Sequence, residues 1–213
     1  VGKFSREARR AVLADEQAYK LVLEGEADLA GLPDFVRAAA KRAGDDLGHP
    51  GKHVITLSRS SIETFLQFST RRDLREAAFA AWIRRGEGGG DHDNRAVATE
   101  ILALRAERAK LLGFATFAKF RLEDAMAKTP EAVAKLLDQV WTAAKAKAGA
   151  ERALLQRMVD SEGGNFQIEA WDWRHYAEKV RKAEYDLDEA EIKPYFQLDR
   201  MIEAAFDTAT RLF

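Results

Sequence analysis

The feature that most constrains the fold is a long series of apolar residues at helical spacing that follows Thr129 and Pro130. Threonine is a common N-cap and proline a common first helical residue, so this pattern predicts one helix of about eight turns, ending near Gly163. The apolar stripe consists of Val133, Leu136, Leu137, Val140, Trp141, Ala144, Ala148, Leu155 and Met158. A helix with so long an apolar face predicts a mainly helical protein whose other elements cover that face.

Helical spacing recurs along most of the chain, and strand patterns are few. Val54–Leu57 is the best strand candidate because it is short and β-branched. Phe166–Ile168 and Ile192–Tyr195 are predicted to be extended, the second because Pro194 disfavours helix at Lys193. Further helices are predicted over 5–24, 35–47, 60–68, 73–85, 94–112, 114–126, 171–182 and from 198 onward. The predicted fold class is therefore all-α, with one or two short strands.

Two local signals refine this prediction. Ser60 and Glu63 have the spacing of a capping box, in which each side chain bonds the backbone amide of the other residue. Gly86–His92 is rich in glycine and predicts a flexible loop over residues 86–92. That loop lacks the Lys-Ser/Thr of a phosphate-binding loop and does not follow a strand, so it does not indicate a nucleotide site.

Composition excludes several classes of function. The 213 residues are 46% hydrophobic and 32% charged, which is typical of a globular protein, and no apolar run reaches the roughly 18 residues of a membrane span. The formal net charge of −1 gives no electrostatic attraction to nucleic acid. The chain contains no cysteine, which excludes disulfides and thiolate metal sites and is compatible with a reducing compartment. We expect a cytoplasmic protein with no nucleic-acid or membrane partner.

Apolar residues recur at helical spacing from Leu198 to the last residues, Leu212 and Phe213, with no capping residue after them. A helix that exposes such residues normally continues into a segment that buries them. We therefore expect this chain to be a fragment of a longer protein, and the isolated chain to self-associate through its C-terminal helix.

The histidines do not form a recognisable metal site. His49 and His53 are four residues apart but flank a Pro-Gly turn, so no two histidines form the helical i,i+4 pair of a zinc site, and the sequence has no His-Glu-x-x-His. Asp172 and His175 have the i,i+3 spacing of half a di-iron site, which leaves a helical di-iron protein as one alternative. The four histidines are His49, His53, His92 and His175. We expect neither a metal ligand nor a catalytic residue in this chain.

Several strings in order along the chain resemble one peptidase family. They are Leu29 to Asp34, Arg71-Arg72-Asp73-Leu74-Arg75-Glu76, Asp93-Asn94-Arg95, Leu104 to Phe114, Met126-Ala127-Lys128-Thr129-Pro130, Trp171-Asp172-Trp173, Tyr176-Ala177-Glu178-Lys179 and Ile192-Lys193-Pro194-Tyr195. Together they look like the peptidyl-dipeptidase Dcp branch of the thimet oligopeptidase family of zinc metallopeptidases. The chain resembles the region upstream of the family's His-Glu-x-x-His motif. It departs from the family at Ala11, where Asn is frequent, and at His175, where Tyr is common.

The resemblance implies a zinc-dependent oligopeptidase with two helical lobes around a channel, which releases dipeptides from the C-terminus of short peptides. In such enzymes two motif histidines and a downstream Glu hold zinc, and the motif Glu activates water. None of these residues matches a position here, so residues 1–213 are expected to form a helical segment that supplies channel wall and scaffold, and to be inactive alone. The implied partners are the missing C-terminal catalytic part and short peptides.

Aromatic residues near the C-terminal end are candidates for contact with a peptide. Large aromatics at helical spacing are more often core residues than groove residues, so both interpretations stay open. The substrate-channel candidates are Trp171, Asp172, Tyr176, Tyr195 and Phe196. The alternative to a peptidase part is a non-catalytic helical module that binds peptides or assists assembly.

Overall fold

A computed structural model describes residues 2–185 and 189–212. It is mainly helical with a single two-stranded sheet among the described residues, which confirms the predicted fold class. The elements are α1 (Gly2–Ala18), β1 (Leu21–Leu23), α2 (Asp34–Asp46), β2 (His53–Ile55), α3 (Arg59–Phe68), α4 (Arg72–Ile83), α5 (Arg95–Leu111), α6 (Phe117–Leu122), α7 (Pro130–Ser161), α8 (Trp173–Tyr185), α9 (Glu189–Ile192) and α10 (Leu198–Leu212), with 3₁₀ turns at Gly90–His92 and Lys193–Tyr195. None of the described helices is long and apolar enough to span a membrane.

The first core lies between α2, α3, α4 and the sheet. Its buried residues include Leu23, Val36, Ile55, Phe65 and Leu66. The strands are antiparallel, with Val22 opposite Val54. Helix α2 lies close to the segment before β2, because a Cβ atom on Gly44 would stand 2.0 Å from the carbonyl oxygen of Lys52. Any larger residue at position 44 would push the helix from the sheet.

The prediction of one helix from residue 5 to 24 is wrong beyond Ala18. Leu21 and Val22 lie in β1 and pair with β2, some thirty residues later in the chain. Apolar residues at positions 18, 21 and 22 fit a helix and a short strand equally well, so local spacing does not separate the two. The segment forms a strand because β2 supplies backbone hydrogen-bond partners for it, and β2 lies in a distant part of the sequence.

The predicted capping box at Ser60 is also wrong. Helix α3 begins at Arg59 after Ser58, and Ser58 makes no side-chain capping bond. Ser61 instead accepts a hydrogen bond of 3.0 Å from the backbone amide of Thr56, which ties the end of β2 to the first turn of α3. The hydroxyl groups here join two elements rather than cap one helix.

A second core joins the end of α7 to α8. Its buried residues are Leu155, Val159, Ile168, Tyr176 and Val180, and α8 also packs against α3 of the first core. Phe166–Ile168, which is predicted to be extended, belongs to neither a helix nor a strand in this described segment. The side-chain amide of Gln156 replaces a strand partner: it donates to the carbonyl of Phe166 at 3.0 Å and accepts from the amide of Ile168 at 2.9 Å.

The long helix predicted after Thr129 is confirmed as α7, and the Thr129 hydroxyl accepts a hydrogen bond of 3.2 Å from the amide of Ala132. Only Leu155 and Val159 are buried in it. The apolar residues Leu136, Leu137, Val140 and Trp141 are exposed, and α10 has no buried residue among those described. The apolar stripes of these helices are therefore present but uncovered.

Ile192–Tyr195 is helical rather than extended, which contradicts the prediction. Residues 189–192 form α9, and Lys193–Tyr195 form a 3₁₀ turn. A proline is tolerated in the first turn of a helix because its missing N–H would have no partner there. Pro194 therefore restricted the segment less than the sequence interpretation assumed.

The glycine-rich segment at 86–92 is attached to α1 at its start and just after its end. The amide of Gly86 donates to Asp15 Oδ2 at 2.6 Å, and Asn94 Nδ2 donates to the carbonyl of Ala8 at 2.9 Å. The amide of Asn94 also donates to the carbonyl of Gly86 at 2.7 Å. The segment is a closed loop between these points, and its predicted flexibility remains a prediction for the residues between them.

Candidate functional site

The structure brings three of the five channel candidates together. Trp171 and Asp172 directly precede α8 and Tyr176 lies in its first turn. There α8 packs against α3, and Asp172 bonds two arginines of α4. Tyr195 and Phe196 lie on the link before α10, and Tyr195 keeps 76% of its surface exposed. The candidates therefore form one group, in which Asp172 and Tyr176 are buried and Trp171 is half-buried, and one exposed pair rather than a single surface.

Asp172 is the centre of a buried ionic cluster. Its carboxylate is fully buried and accepts from Arg75 Nη2 at 2.8 Å and from Arg72 Nη2 at 3.0 Å. Arg72 Nε and the backbone amide of Glu169 also donate to it, at 3.1 Å and 3.2 Å to Oδ2. Arg75 is itself buried and donates to the carbonyl of Ser69 at 2.7 Å. We call Arg72, Arg75, Asp172 and His175 the Asp172 cluster.

His175 lies one helical turn after Asp172 and is also buried. Its Nδ1 lies 3.1 Å from the carbonyl oxygen of Gln67, which accepts only, so Nδ1 carries the proton of the neutral ring. Burial, with smaller contributions from the charges of Arg75 and Lys179, lowers the pKa of His175 to about 4. The imidazole is therefore neutral at neutral pH and serves to join α8 to the end of α3.

Aromatic rings cover the outer side of the cluster. The Arg72 guanidinium lies over the Phe166 ring at 4.3 Å and near the Trp171 ring at 5.5 Å. Tyr176 packs edge to face with His175 at 5.2 Å, and burial raises the pKa of its hydroxyl. Arginine between aromatic faces is held by both cation–π attraction and hydrogen bonds, which makes this junction rigid.

This arrangement binds helices to each other. Both oxygens of Asp172 accept hydrogen bonds from guanidinium groups, so the carboxylate is not available as a general base. Within residues 2–185 and 189–212, no group of three potential ligand side chains is placed to hold a metal ion. The sequence interpretation missed Arg75, because arginine is seldom buried and nothing in the local pattern marks it. Its only local signal is the i,i+3 spacing from Arg72.

Two concave surfaces lie beside these elements. A groove of about 340 Å³ between α2, β2 and α3 has an apolar wall and a hydroxyl-bearing edge. Its lining includes Phe35, Ala39, Ile55, Thr56, Ser60 and Thr64. A second hollow, of about 350 Å³, lies beside His175 and includes Gln67, Glu178 and Lys179.

The sequence profile of Peptidase family M3 matches residues 65–213, which include α4, the Asp172 cluster and α10. The chain belongs to Peptidase family M3. This confirms the predicted resemblance to oligopeptidases.

Individual relatives agree with this assignment. The chain is 37% identical over 95% of its length to the Dipeptidyl carboxypeptidase of Escherichia coli (strain K12), of which it covers 30%. It is 34% identical, over 95% of its length, to the Oligopeptidase A of Haemophilus influenzae, again covering 30% of that protein. The Probable cytosolic oligopeptidase A of Arabidopsis thaliana is 30% identical over 99% of the chain and is covered to 31%. The chain thus spans about 30% of the length of these relatives.

Proposed function

We propose that this chain is the helical, non-catalytic part of a zinc-dependent peptidyl-dipeptidase that releases dipeptides from the C-terminus of short peptides. The observation that carries the proposal is the 37% identity to a Dipeptidyl carboxypeptidase over 95% of the chain. Zinc and the catalytic base are assigned to a catalytic part outside this chain, because the sequence has no His-Glu-x-x-His. The chain alone is proposed to be inactive.

The structure supports a scaffold role through its two cores. The Asp172 cluster holds the start of α8 against α4 by charge-assisted hydrogen bonds at 2.8–3.2 Å, and His175 adds a contact of 3.1 Å to the carbonyl of Gln67 in α3. A rigid junction of this kind fixes the direction of the helices that leave it, which a channel wall requires. Trp171, Asp172 and Tyr176 would act there as supports for the wall.

Tyr195 and Phe196 are the better candidates for direct contact with a peptide. Both rings are largely exposed, and the two residues are neighbours at the end of the 3₁₀ turn Lys193–Tyr195. An exposed tyrosine offers an apolar ring and a hydroxyl that can donate to a peptide carbonyl. Replacing Tyr195 with alanine in the complete enzyme is expected to raise KM for short peptides, whereas Tyr185→Ala serves as an exposed control.

The proposal is tested on the complete polypeptide that contains these residues. The substrate is a peptide with a blocked N-terminus and a free C-terminus, and mass spectrometry identifies the products. We expect stepwise loss of C-terminal dipeptides, inhibition by 1,10-phenanthroline and recovery when zinc is added. Release of single amino acids, cleavage only inside longer peptides, or activity unaffected by the chelator would contradict the proposal.

The second candidate function is a non-catalytic module that binds peptides or assists assembly. The apolar groove between α2, β2 and α3 favours it, because its hydroxyl-bearing edge offers hydrogen-bonding groups beside an apolar wall. This function predicts that the isolated chain binds short peptides and that Ala39→Trp, which fills the groove, abolishes binding. Calorimetric titration that shows no heat of binding with a mixed peptide library would exclude it.

The proposed partners are short peptides and the catalytic part of the same enzyme, and the proposed location is the cytoplasm. The absence of cysteine is compatible with a reducing compartment. One relative is named a probable cytosolic enzyme. Fractionation of the source cells, with antibody against this chain, is expected to recover it with cytoplasmic markers, and recovery in the membrane fraction would contradict this location.

A further inference from the structure

The hollow of about 350 Å³ beside His175 lies between the end of α3, helix α8 and the turn that precedes α2. We call it the His175 hollow. Its volume falls in the range of roughly 300–1,000 Å³ that small-ligand sites occupy. Pro33 and Phe68 give it an apolar wall, and Thr70, His175 and the polar side chains of α8 complete the lining.

Two walls of the His175 hollow are fixed to each other. The backbone amide and the hydroxyl of Thr70 both donate to the carbonyl of Ala30, at 3.0 Å and 3.1 Å. The two segments lie so close together that a Cβ atom on Gly31 would collide with the carbonyl oxygen of Phe68. This part of the hollow is therefore preformed, which lowers the entropic cost of binding a ligand.

His175 presents one unpaired ring nitrogen to the hollow. Its Nδ1 donates to the carbonyl of Gln67 at 3.1 Å, so Nε2 of the neutral ring is a hydrogen-bond acceptor. The residue is only 6% exposed, and Nε2 has no partner within residues 2–185 and 189–212. Nε2 is not among the fully enclosed polar atoms that lack a partner, so it reaches the hollow that His175 lines. A ligand that donates a hydrogen bond to Nε2 would satisfy this acceptor.

The charged side chains that line the hollow already have partners. Lys179 donates to both oxygens of Glu162, at 2.6 Å and 2.8 Å. Glu178 accepts from Arg181 Nε at 2.8 Å, and Lys182 is not free either. A charged ligand would have to compete with these partners, so the lining favours an uncharged ligand with an apolar body and one hydrogen-bond donor.

We infer that the His175 hollow binds the side chain of a tyrosine residue in a short peptide. The phenol ring packs on Phe68 and Pro33, and the phenol hydroxyl donates to His175 Nε2. Tyrosine suits this site because its ring is apolar and rigid while its hydroxyl is an uncharged donor. The inference takes from the proposed function only that short peptides are ligands of this protein.

Two probes that differ by one hydroxyl test the site. N-acetyltyrosine amide and N-acetylphenylalanine amide are titrated into the 213-residue chain and followed by NMR. We expect the tyrosine probe to bind about tenfold more tightly, and it alone to shift the nitrogen resonance of His175 Nε2.

A pair of variants locates the binding. His175→Tyr should abolish binding of both probes, because the larger ring fills the hollow. The variant is expected to fold, since Tyr is common at this position in the family that the chain resembles. His92→Tyr is the matched control, because it makes the same change at an exposed histidine in the loop at 86–92 and should retain binding. If His175→Tyr does not fold, the comparison of the two probes on the unaltered chain decides.

Three outcomes overturn the inference: equal affinity for the two probes, an unchanged resonance of His175 Nε2, or tyrosine binding that survives in folded His175→Tyr. This inference and the proposed function fail separately. Tyrosine binding by this chain, together with a complete protein that releases no dipeptides, would refute the proposed function and leave the site standing. Dipeptide release by the complete protein, without tyrosine binding in the hollow, would refute the site alone.

Discussion

Helices α3 and α10 have the same apolar pattern in different surroundings. In α3, Ile62, Phe65 and Leu66 follow each other at i, i+3 and i+4 and are fully buried. In α10, Ile202, Ala205 and Phe206 have the same spacing, and each is exposed. The pattern therefore predicts which face of a helix is apolar, and the rest of the molecule decides whether that face is covered.

The largest expected effect comes from equivalent substitutions on these two helices. Phe65→Ala should lower the free energy of unfolding of this chain by about 4 kcal/mol, because it opens a cavity in the first core. Phe206→Ala should change it by less than about 0.5 kcal/mol, because the ring is 71% exposed. Urea unfolding followed by circular dichroism measures both. Equal losses would show that α10 is packed within this chain, and the comparison would fail.

A buried and an exposed arginine extend the comparison to charges. Arg75→Met should cost about 3 kcal/mol, since it leaves the buried Asp172 carboxylate with Arg72 as its one remaining guanidinium partner among the described residues. Arg59→Met removes an 85% exposed partner of Glu63 and should cost less than about 1 kcal/mol. Urea midpoints of the two variants give the measurement. A small effect at Arg75 would mean that the Asp172 cluster does not hold α8 in place.

The pH dependence of stability tests the burial of His175. Its pKa is about 4 in the folded chain against 6.5 for an ordinary histidine, so the unfolded state binds the extra proton between these values. Stability should therefore fall by about 2 kcal/mol from pH 7 to pH 5, with little change above pH 7. His175→Gln should flatten this dependence. A titration by NMR that gives His175 a pKa near 6.5 would contradict the prediction.

The smallest expected effect lies at the start of α7. Thr129→Ala removes the hydroxyl that accepts from the amide of Ala132 and should cost about 1 kcal/mol, whereas Thr129→Ser should cost little. The change should appear as faster hydrogen exchange in the first turn of α7. If both variants exchange alike, the cap does not stabilise this uncovered segment of helix.

The elements that the sequence predicted well are those with a local cause. The cap at Thr129 and the proline after it define the start of α7 without reference to any other segment. The sequence of β1 fits a helix, and it forms a strand only because it pairs with β2, some thirty residues later. The sequence does not predict the 3₁₀ turn at Lys193–Tyr195, because proline is compatible both with an extended segment and with the first turn of a helix.

The candidate site shows the same division. Trp171, Asp172 and Tyr176 lie together because they are close in sequence at and just before the start of α8. The burial of Asp172 and Tyr176 depends on other elements, among them α3 and the arginines of α4. Arg75 could not be selected in advance, since a buried arginine requires a carboxylate from nearly one hundred residues away. Sequence spacing therefore located the helix, and tertiary pairing decided which of its side chains reach solvent.

The loop at 86–92 is a place where the backbone can be cut without separating the two parts of the protein. Hydrogen bonds from Gly86 and Asn94 to α1 hold the two sides of the loop independently of the peptide bonds between them. A protease cut among residues 87–90 would leave both fragments attached to the same helix. The nicked protein would elute from a sizing column as one species and separate into two bands only after denaturation, and the same site would accept an inserted tag.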